Sequence, residues 1–548
     1  MAGDEKGRER VAGGIAAALR PLAVPVFRRF WIAGLISNFG TLMQTVAAAW
    51  LMTAIAGDAR SVALVQTAAS VPMMLFAMLA GTLADVVDRR LLMIVAQLGM
   101  ALVAAALAAL TLAHVTTPAI LLGATFLIAS GNALYAPAWQ ASVVEQVSRP
   151  LLESATSLNS VGFNIARSIG PAIGGALVAM VGSGPVFALN ALSNAGLVFA
   201  AASWKRERPA ELLPPERVID AILAGLRYAR LSPEPLTLMF RSSVFGLCGS
   251  CVWALTPVLA KNALGGGALT LGLLLGGFGV GAVAGAILRA SLSWSRAVLL
   301  SRCTIVFAAA TVAVSQSPWV GLSMVLMAAI GGAWVMVLTS LSVSVQVVVP
   351  RWVVGRMIAI NQMAIFTGMA LGSVGWGYVA SAYGVRTAFL ASGIAMAGSL
   401  VLGLWFRPSE AADPDLSPAR DAPMDRLDGP IRASDGPIAI ALDYRVSTEN
   451  FAAFVDAMEA LGRVRRRDGA RRWSLQQDMD DPEHWIERFT SASWIAHLHR
   501  QMRPTVADQA VRDRVTALVA SGPDVRRTIE RSRGAPALLP QSRFTPKF

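Results

Sequence analysis

The chain has 548 residues, of which 55% are hydrophobic and 15% are charged, and its formal net charge is +13. Soluble globular proteins carry about 25% charged residues, so the composition excludes a soluble fold for most of the chain. The basic excess favours loops that fix membrane orientation over a nucleic-acid partner, and the cysteines Cys248, Cys251 and Cys303 fit no disulfide framework or metal site.

Apolar segments of membrane-spanning length fill most of residues 30–406. Roughly 20 apolar residues cross the hydrocarbon core as a helix, and a helix satisfies its own backbone hydrogen bonds in lipid. The first segment begins near Phe30 without the short apolar core and cleavage site of a secretory signal, so we interpret it as a span. We predict twelve membrane helices, at 30–55, 61–84, 91–113, 118–143, 157–181, 184–204, 236–260, 268–290, 297–315, 318–346, 356–381 and 385–406.

Basic residues alternate between the two sides of this bundle. The richer side carries Arg28, Arg29, Arg89, Arg90, Arg149, Lys205, Arg206, Arg208, Arg296, Arg351 and Arg356. The other side carries little beyond Arg60, Lys261 and Arg386. The positive-inside rule therefore predicts a cytoplasmic N-terminal segment, 1–29, and an even number of spans places the C-terminus on the same side.

The membrane part divides into two six-helix halves, 30–204 and 236–406. The loop between them, 205–235, contains apolar residues at helical spacing and predicts an amphipathic helix at the cytoplasmic interface. A shift of 202 residues pairs Asn159 with Asn361, Gly170 with Gly372, Gly175 with Gly377, Gly182 with Gly384 and Phe187 with Phe389. Parallel repeats of this kind are typical of major facilitator transporters, which hold their substrate near the midplane between the halves.

A separate C-terminal part follows the last span. Residues 407–437 are rich in proline, aspartate and alanine and predict a linker. Residues 438–548 predict a small cytoplasmic α+β domain. We expect a strand at 438–446, a helix at 448–462, a hairpin turn at Asp468-Gly469, and helices near 482–502 and 506–532. Few contacts are expected to cross the linker.

The stretch from Gly81 to Arg90, GTLADVVDRR, resembles the major facilitator signature between the second and third spans. By this resemblance Gly81 admits a neighbouring helix, Asp85 caps a helix N-terminus across the interface between the halves, and Arg89 and Arg90 anchor the loop in the cytoplasm. Two positions depart from the signature: Val86 replaces a basic residue and Asp88 replaces a glycine. The alternative interpretation is an ordinary basic loop that holds the topology.

The fifth span contains a second motif, Gly170-Pro171-Ala172-Ile173-Gly174-Gly175, which resembles a signature of antiporter-type exporters. Small residues recur every four positions along this helix and predict close helix contact. Pro171 removes a backbone donor and permits a bend. One interpretation is that the motif only packs helices together. The functional interpretation is that it forms a closely packed, flexible interface between two halves that move relative to each other.

Arg167 lies one turn before this motif, in the middle of the span. An arginine there costs at least about 3 kcal/mol on insertion scales, so it should face a wet cavity or a partner. It is either a structural residue or a contact for cargo or coupling, and no mid-span carboxylate pairs with it in the sequence. Other polar residues form stripes on their helices and are the remaining candidates for the substrate cavity: Gln44, Asn132, Tyr135, Asn164, Gln362 and Trp376.

Three stretches, Gly131–Val147, Asn159–Gly175 and Val186–Asn194, together resemble the enterobactin-exporter-like, or transmembrane secretion effector, group of major facilitator proteins. The segment Arg465–Asp508 resembles an extra cytoplasmic domain of some members. This resemblance implies a multi-pass protein of the bacterial plasma membrane that exports a small organic molecule, a siderophore, natural product or drug, by alternating access. A proton is the usual coupling ion, and no cofactor is implied.

The C-terminal domain also resembles a ferredoxin-like antibiotic-biosynthesis monooxygenase module, through Glu487 and His497-Leu498. An enzyme would need side chains such as His484, Trp494, His497 or His499 to converge in a pocket. Their spacing is no zinc site, so we expect no enzyme but a dimerisation or regulatory module. The competing functions are therefore an exporter, a membrane-tethered oxygenase, and a receptor or assembly scaffold that transports nothing.

Overall fold

A computed structural model describes residues 19–204, 218–405, 415–417, 419 and 435–530. Most of the predicted linker, the start of the loop between the halves and the side chain of Asp85 lie outside the described residues. The helices of the membrane part are α1 (Pro25–Ile55), α2 (Ala59–Val86), α3 (Arg89–Leu112), α4 (Pro118–Gln146), α5 (Leu152–Val181), α6 (Ser183–Ala202), α7 (Val218–Leu231), α8 (Pro233–Val258), α9 (Ala268–Ser291), α10 (Arg296–Gln316), α11 (Val320–Val347), α12 (Val354–Tyr383) and α13 (Val385–Trp405).

Apolar helices lie at all twelve positions where spans were predicted. Eleven helices are long and apolar enough to cross a membrane, and α13 supplies a shorter apolar stretch, Val385–Val401, within the described residues. Local chemistry sets where several of them begin. Proline begins α1 and α4, where its missing N–H costs nothing. The side chains of Asp58 and Asp88 accept backbone hydrogen bonds at the starts of α2 and α3.

The internal repeat is visible in the backbone. Gly182 joins α5 to α6 with φ of +81°, and Gly384 joins α12 to α13 with φ of +88°. A left-handed backbone favours glycine because it has no Cβ. The two glycines lie 202 residues apart, so the same turn recurs at the same place in each half.

The predicted amphipathic helix is α7. Ala224, Tyr228 and Ala229 are buried on one face, whereas Ile219 and Leu223 are exposed on another. An exposed apolar stripe beside a charged face is typical of a helix lying in the membrane interface.

The described residues divide into two compact units. The first contains α1–α6 and most of α8–α13. The second contains residues 219–236, residues 345–357 and the C-terminal domain. This grouping differs from our expectation that few contacts would connect the C-terminal domain to the rest. In the second unit, the Arg467 guanidinium lies 5.4 Å from the Tyr228 ring, and that of Arg503 lies 4.3 Å from the Trp352 ring.

The C-terminal domain has the ferredoxin-like order of elements. It contains β1 (Ile438–Arg445), α14 (Phe451–Asp468), β2 (Arg471–Gln477), β3 (His484–Ser491), α15 (Trp494–Gln501), α16 (Val506–Thr516) and β4 (Ser521–Ile529). The antiparallel sheet has the order β2-β3-β1-β4. Burial alternates along β1, whose residues Ile438, Ile440, Leu442 and Tyr444 enter the core.

Three predictions for this domain were wrong. Gly469, with φ of +119°, ends α14 and is no hairpin turn, since the chain between β2 and β3 turns at 478–483. The predicted helix 482–502 begins instead as β3, whose inward Glu487 interrupts the apolar alternation. The predicted helix 506–532 ends as β4, an edge strand with exposed charged residues that hide its pattern.

Glu487 is fully buried and holds the core of this domain together. It accepts hydrogen bonds from Tyr444 at 3.0 Å, Trp473 at 2.9 Å and Arg465 at 3.2 Å. A buried carboxylate is tolerated when its charge is paired and its oxygens are hydrogen-bonded.

We predict that Glu487→Gln lowers the free energy of unfolding of the C-terminal domain by about 3–5 kcal/mol, because it leaves the buried Arg465 without its counter-charge. Urea-dependent proteolysis of that domain in the full chain measures the change. Glu459→Gln, at an exposed position of α14, is the control and should change stability by less than about 0.5 kcal/mol. Equal effects of the two substitutions would contradict the account.

Candidate functional site

The two halves meet where α5 crosses α9. A Cβ on Gly175 would lie 2.6 Å from the Ala268 carbonyl oxygen, and one on Gly272 would lie 2.7 Å from that of Pro171. These distances are below any van der Waals contact, so the two backbones touch only because glycine lines both sides. This arrangement confirms that the fifth predicted span makes close helix contacts.

The neighbouring glycines of the same motif serve a different contact. A Cβ on Gly174 would lie 2.8 Å from the Met43 Cα, and one on Gly170 would lie 3.2 Å from the Leu42 Cβ. Both contacts are to α1, within the same half. The motif therefore packs α5 against α1 on one face and against α9 on another.

The repeat produces a second crossing, between α12 and α2. A Cβ on Gly377 would lie 2.8 Å from the Cβ of Ala63. Nearby, the Arg60 amide donates to the Ser381 hydroxyl at 3.1 Å, and the Arg60 guanidinium lies 4.3 Å from the Tyr378 ring. Gly377 is the repeat partner of Gly175, so equivalent positions of the two halves make the two crossings.

These crossings lie at the end of the bundle opposite the arginine-rich one. Gly175 is near the end of α5, and Ala63 is near the start of α2, which places both beside the sparsely charged loops. A third contact between the halves is made there, because the Lys261 ammonium donates to the Thr53 carbonyl at 2.7 Å. The halves are thus held together at this end.

Arg167 lies midway along α5, on the α9 side of the interface between the halves. Its guanidinium carbon is 5.6 Å from the centroid of Phe278 on α9 and 5.8 Å from that of Trp253 on α8. Aromatic faces attract cations, more strongly where water is excluded. No carboxylate of the described residues lies within 4 Å of it, so the aromatic faces are its compensation.

The aromatic partners were not among the sequence candidates. Trp253 stacks edge-on against Phe278 at 4.7 Å and lies 6.2 Å from Trp334. The indole N–H of Trp253 is buried without a hydrogen-bond partner among the described residues. No sequence signal marks Trp253, because an aromatic residue in an apolar span is common. Together, Arg167 and Trp253 place two kinds of hydrogen-bond donor side by side at mid-membrane depth.

At the arginine-rich end, two arginines at the loop between α2 and α3 bind neighbouring helices of the same half. Arg89 donates to the Glu145 carboxylate at 2.7 Å and to the Ala84 carbonyl at 3.0 Å. Arg90 donates to the Ala201 carbonyl at 3.0 Å, at the C-terminus of α6. Cations at helix C-termini satisfy carbonyls that have no partner in the helix. Both arginines therefore join elements of one half.

Gly81 has open space beside it in this structure. No described heavy atom lies within 4 Å of the position its Cβ would occupy, so no helix approaches closely there. Asp85 follows it on α2, and its side chain lies outside the described residues, so its role in gating stays a prediction. Asp88, which departs from the signature, has a visible role as the N-cap of α3.

Some polar candidates are held between helices. Gln44, which is 6% exposed, accepts a hydrogen bond from the Asn190 amide of α6. The Trp376 indole donates to the Leu247 carbonyl at 2.9 Å, joining α12 to α8. Interhelical hydrogen bonds of this type hold membrane helices together, so these placements favour packing over cargo contact.

The other polar candidates are more open. Asn132 is exposed and Gln362 is half-buried. Tyr135 stacks on Trp139 of the same helix at 6.1 Å. The Asn164 amide donates to the Ser160 carbonyl at 2.8 Å, one turn back on α5. The structure therefore brings Asn164 and Arg167 onto one helix but does not gather all seven candidates around one point.

The α5–α9 crossing gives a direct test. We predict that Gly272→Ala destabilises the protein by about 1–3 kcal/mol, because its new methyl group overlaps the Pro171 carbonyl and forces the helices apart. The thermal unfolding midpoint of the purified full chain should fall. Gly99→Ala on α3 is the control, since no heavy atom of the described residues lies within 4 Å of its Cβ position. Matching midpoints for the two variants would show that the crossing is not tight.

Known proteins share this architecture. The family model of the transmembrane secretion effector matches residues 16–534. The multidrug efflux pump Tap of Mycolicibacterium fortuitum is 25% identical over 384 residues, which cover 68% of this chain and 92% of that protein. A POT family transporter, solved in complex with 5-aminolevulinic acid, is similar with a TM-score of 0.57 at 12% identity, over 70% of this chain and 96% of that one.

A second solved structure, that of the nucleoside transporter NupG, has a TM-score of 0.53 at 15% identity, over 70% of this chain and 98% of that one. At these identities the solved structures show the fold alone. The family model, by contrast, spans nearly the whole chain. The protein therefore belongs to the transmembrane secretion effector family of multi-pass membrane transporters, with the major facilitator fold.

Proposed function

We propose that the protein is a secondary active exporter that moves a small organic molecule by alternating access. The observation that carries this proposal is the closure of the two halves at one end by equivalent crossings, α5 with α9 and α12 with α2. A transporter that rocks about a central site needs such a seam, which closes one end while cargo enters from the other.

The proposed orientation places the arginine-rich end in the cytoplasm, with both termini there, and the closed end outside a bacterial plasma membrane. The supporting argument is the bias of lysine and arginine between short loops. In this orientation the closed end faces outward, which suits the step in which an exporter takes up cargo from the cell. The name of the relative Tap, a multidrug efflux pump, supports the same direction.

The proposed cargo site is centred on Arg167 and Trp253. Both offer N–H donors, and Phe278 adds an apolar face at the same depth. This chemistry suits an amphiphilic aromatic molecule with acceptor oxygens, such as a siderophore, natural product or drug. A proton remains the proposed coupling ion. Asp85 is the remaining acidic candidate for gating, while Glu145 is paired with Arg89.

A receptor or scaffold without transport is the second candidate function. The observation that favours it concerns Arg167, which is surrounded by aromatic rings. A proton-coupled transporter would be expected to have a carboxylate at this position. An oxygenase is less favoured. His497 is buried against Trp494, whereas His484 bonds to Asp443 and Asp478 on the other face of the sheet, so the candidate residues do not converge.

Accumulation of compounds in cells separates these functions. Cells that produce the full chain should retain less of at least one aromatic siderophore, natural product or drug than cells without it. Cells with an unchanged content of every compound in the panel would favour the receptor.

Arg167→Lys tests the cargo site within the same assay. Lysine keeps the charge but loses the planar fork of donors, so efflux should fall about tenfold while protein abundance stays normal. Arg302→Lys is the control, because Arg302 also lies over a tryptophan, Trp294 at 4.6 Å, but at an exposed position. If abundance and efflux fall together, Arg167 is structural, and unchanged efflux by Arg167→Ala at unchanged abundance would remove it from the site.

A further inference from the structure

The C-terminal domain contains a cavity of about 260 Å³ between its sheet and its helices, partly open to solvent. Its apolar walls come from β1, β3 and α14, and include Ile440, Leu442, Phe489 and Leu461. Water occupies about 30 Å³ per molecule in the liquid, so the cavity has room for a small organic molecule and not only for an ion.

The polar lining of this cavity is strongly cationic. Arg465, Arg500, Arg512 and Arg527 all line it. Arg465 donates to the Glu487 carboxylate, whereas neither Arg500 nor Arg512 has a carboxylate within 4 Å among the described residues. The Glu487 carboxylate also accepts hydrogen bonds from Tyr444 and Trp473. Its single negative charge is paired with Arg465 and does not neutralise the other arginines of the cavity.

Arg500 is buried with part of its hydrogen-bonding capacity unused. It is 6% exposed and lies 4.4 Å from the Phe489 ring, and one of its terminal nitrogens is 3.1 Å from His497 Nδ1. Its Nε has no hydrogen-bond partner among the described residues, and neither has the Nε of Arg512. Two guanidinium groups that line one cavity therefore each contain a buried N–H without a hydrogen-bond partner among the described residues.

Without a bound anion, the burial of Arg500 and Arg512 costs free energy, because neither charge is neutralised by a carboxylate of the described residues. Burial and the nearby Arg465 charge together lower the pKa of Arg500 to about 9. The pKa of Arg512 is lowered for the same two reasons. A guanidinium without a counter-charge in a low-dielectric site is costly, and a planar anion with two oxygens satisfies its fork best.

We propose that this cavity binds a small organic anion, with its acidic group between Arg500 and Arg512 and its apolar body against Leu442 and Phe489. The proposal concerns a second site, apart from the mid-membrane cargo site, and does not depend on the direction of transport. The acidic group is a carboxylate or another planar oxyanion, and the cavity volume limits the apolar body to about the size of one or two rings.

Binding of 1-naphthoate tests this proposal. The full chain in phosphatidylcholine nanodiscs is dialysed to equilibrium against the tritiated acid, and empty nanodiscs give the background. We expect saturable binding of one 1-naphthoate per chain, and at least tenfold weaker binding by Arg500→Gln and by Arg512→Gln. Arg488→Gln, at an exposed position on the same sheet, is the matched control and should bind like the unmodified chain.

Two further probes define the chemical class. The neutral isostere 1-naphthalenemethanol should bind at least tenfold more weakly than 1-naphthoate, and inorganic phosphate should compete only at far higher concentration. Equal binding of the alcohol would show that the site does not require an anion. Phosphate binding as tight as that of 1-naphthoate would show that the site does not require an apolar body. Binding that survives both arginine substitutions would place the site elsewhere.

A stability measurement separates binding from folding. Arg500→Gln removes a buried charge that has no carboxylate partner, so the variant should remain folded. The acid should raise the unfolding midpoint of the C-terminal domain in the unmodified chain but not in this variant, because only a folded state that binds the ligand is stabilised. An Arg500→Gln domain that is unfolded without ligand would show a structural role and contradict the proposal.

Discussion

The contact between the backbones of α5 and α9 is the constraint on which the membrane part depends. In lipid there is no hydrophobic driving force for helix association, because the lipid tails are as apolar as the side chains. Helices therefore associate through close packing and hydrogen bonds. Gly175 and Gly272 provide that closeness, and any side chain at either position would separate the helices. The repeat reproduces the contact between α12 and α2 through Gly377. Two equivalent crossings at one end are what a pair of rocking halves requires.

Both candidate binding sites contain an arginine that has no acidic partner in the described part of the chain. Arg167 in the membrane part and Arg500 in the C-terminal domain are both faced by aromatic rings, and neither has a carboxylate within 4 Å among the described residues. Glu487 shows the contrasting case, a buried charge whose partners are complete. A buried cation with spare donors is available to a ligand, whereas a buried charge that is fully paired stabilises the fold.

The sequence predicted the membrane helices well because their length is imposed by the bilayer, which is the same for each of them. It also located the repeat, since the turns at Gly182 and Gly384 need a residue without Cβ. Prediction failed where a local pattern was broken for a tertiary reason. Glu487 interrupts the apolar alternation of β3 because it accepts hydrogen bonds from three donors in the core. On the edge strand β4, Arg527 interrupts the alternation of Pro523, Val525 and Ile529.

The candidate site was only partly predictable for a similar reason. Arg167 was identifiable because a charge in a span is costly wherever it lies. Its partner Trp253 was not, because an aromatic residue in a span is inexpensive and common. The role of Gln44 depended on Asn190, a residue 146 positions away on a helix whose contacts no single sequence reveals.

The most direct test of the account is a reversible lock on the closed end. With Cys248, Cys251 and Cys303 replaced by alanine, the double substitution Arg60→Cys and Ser381→Cys introduces thiols on two neighbouring residues, since the Arg60 backbone amide lies 3.1 Å from the Ser381 hydroxyl. The account predicts that oxidation to the disulfide stops efflux and that reduction restores it, because the halves must separate at this end to release cargo. Full efflux by the cross-linked protein would contradict alternating access about this seam.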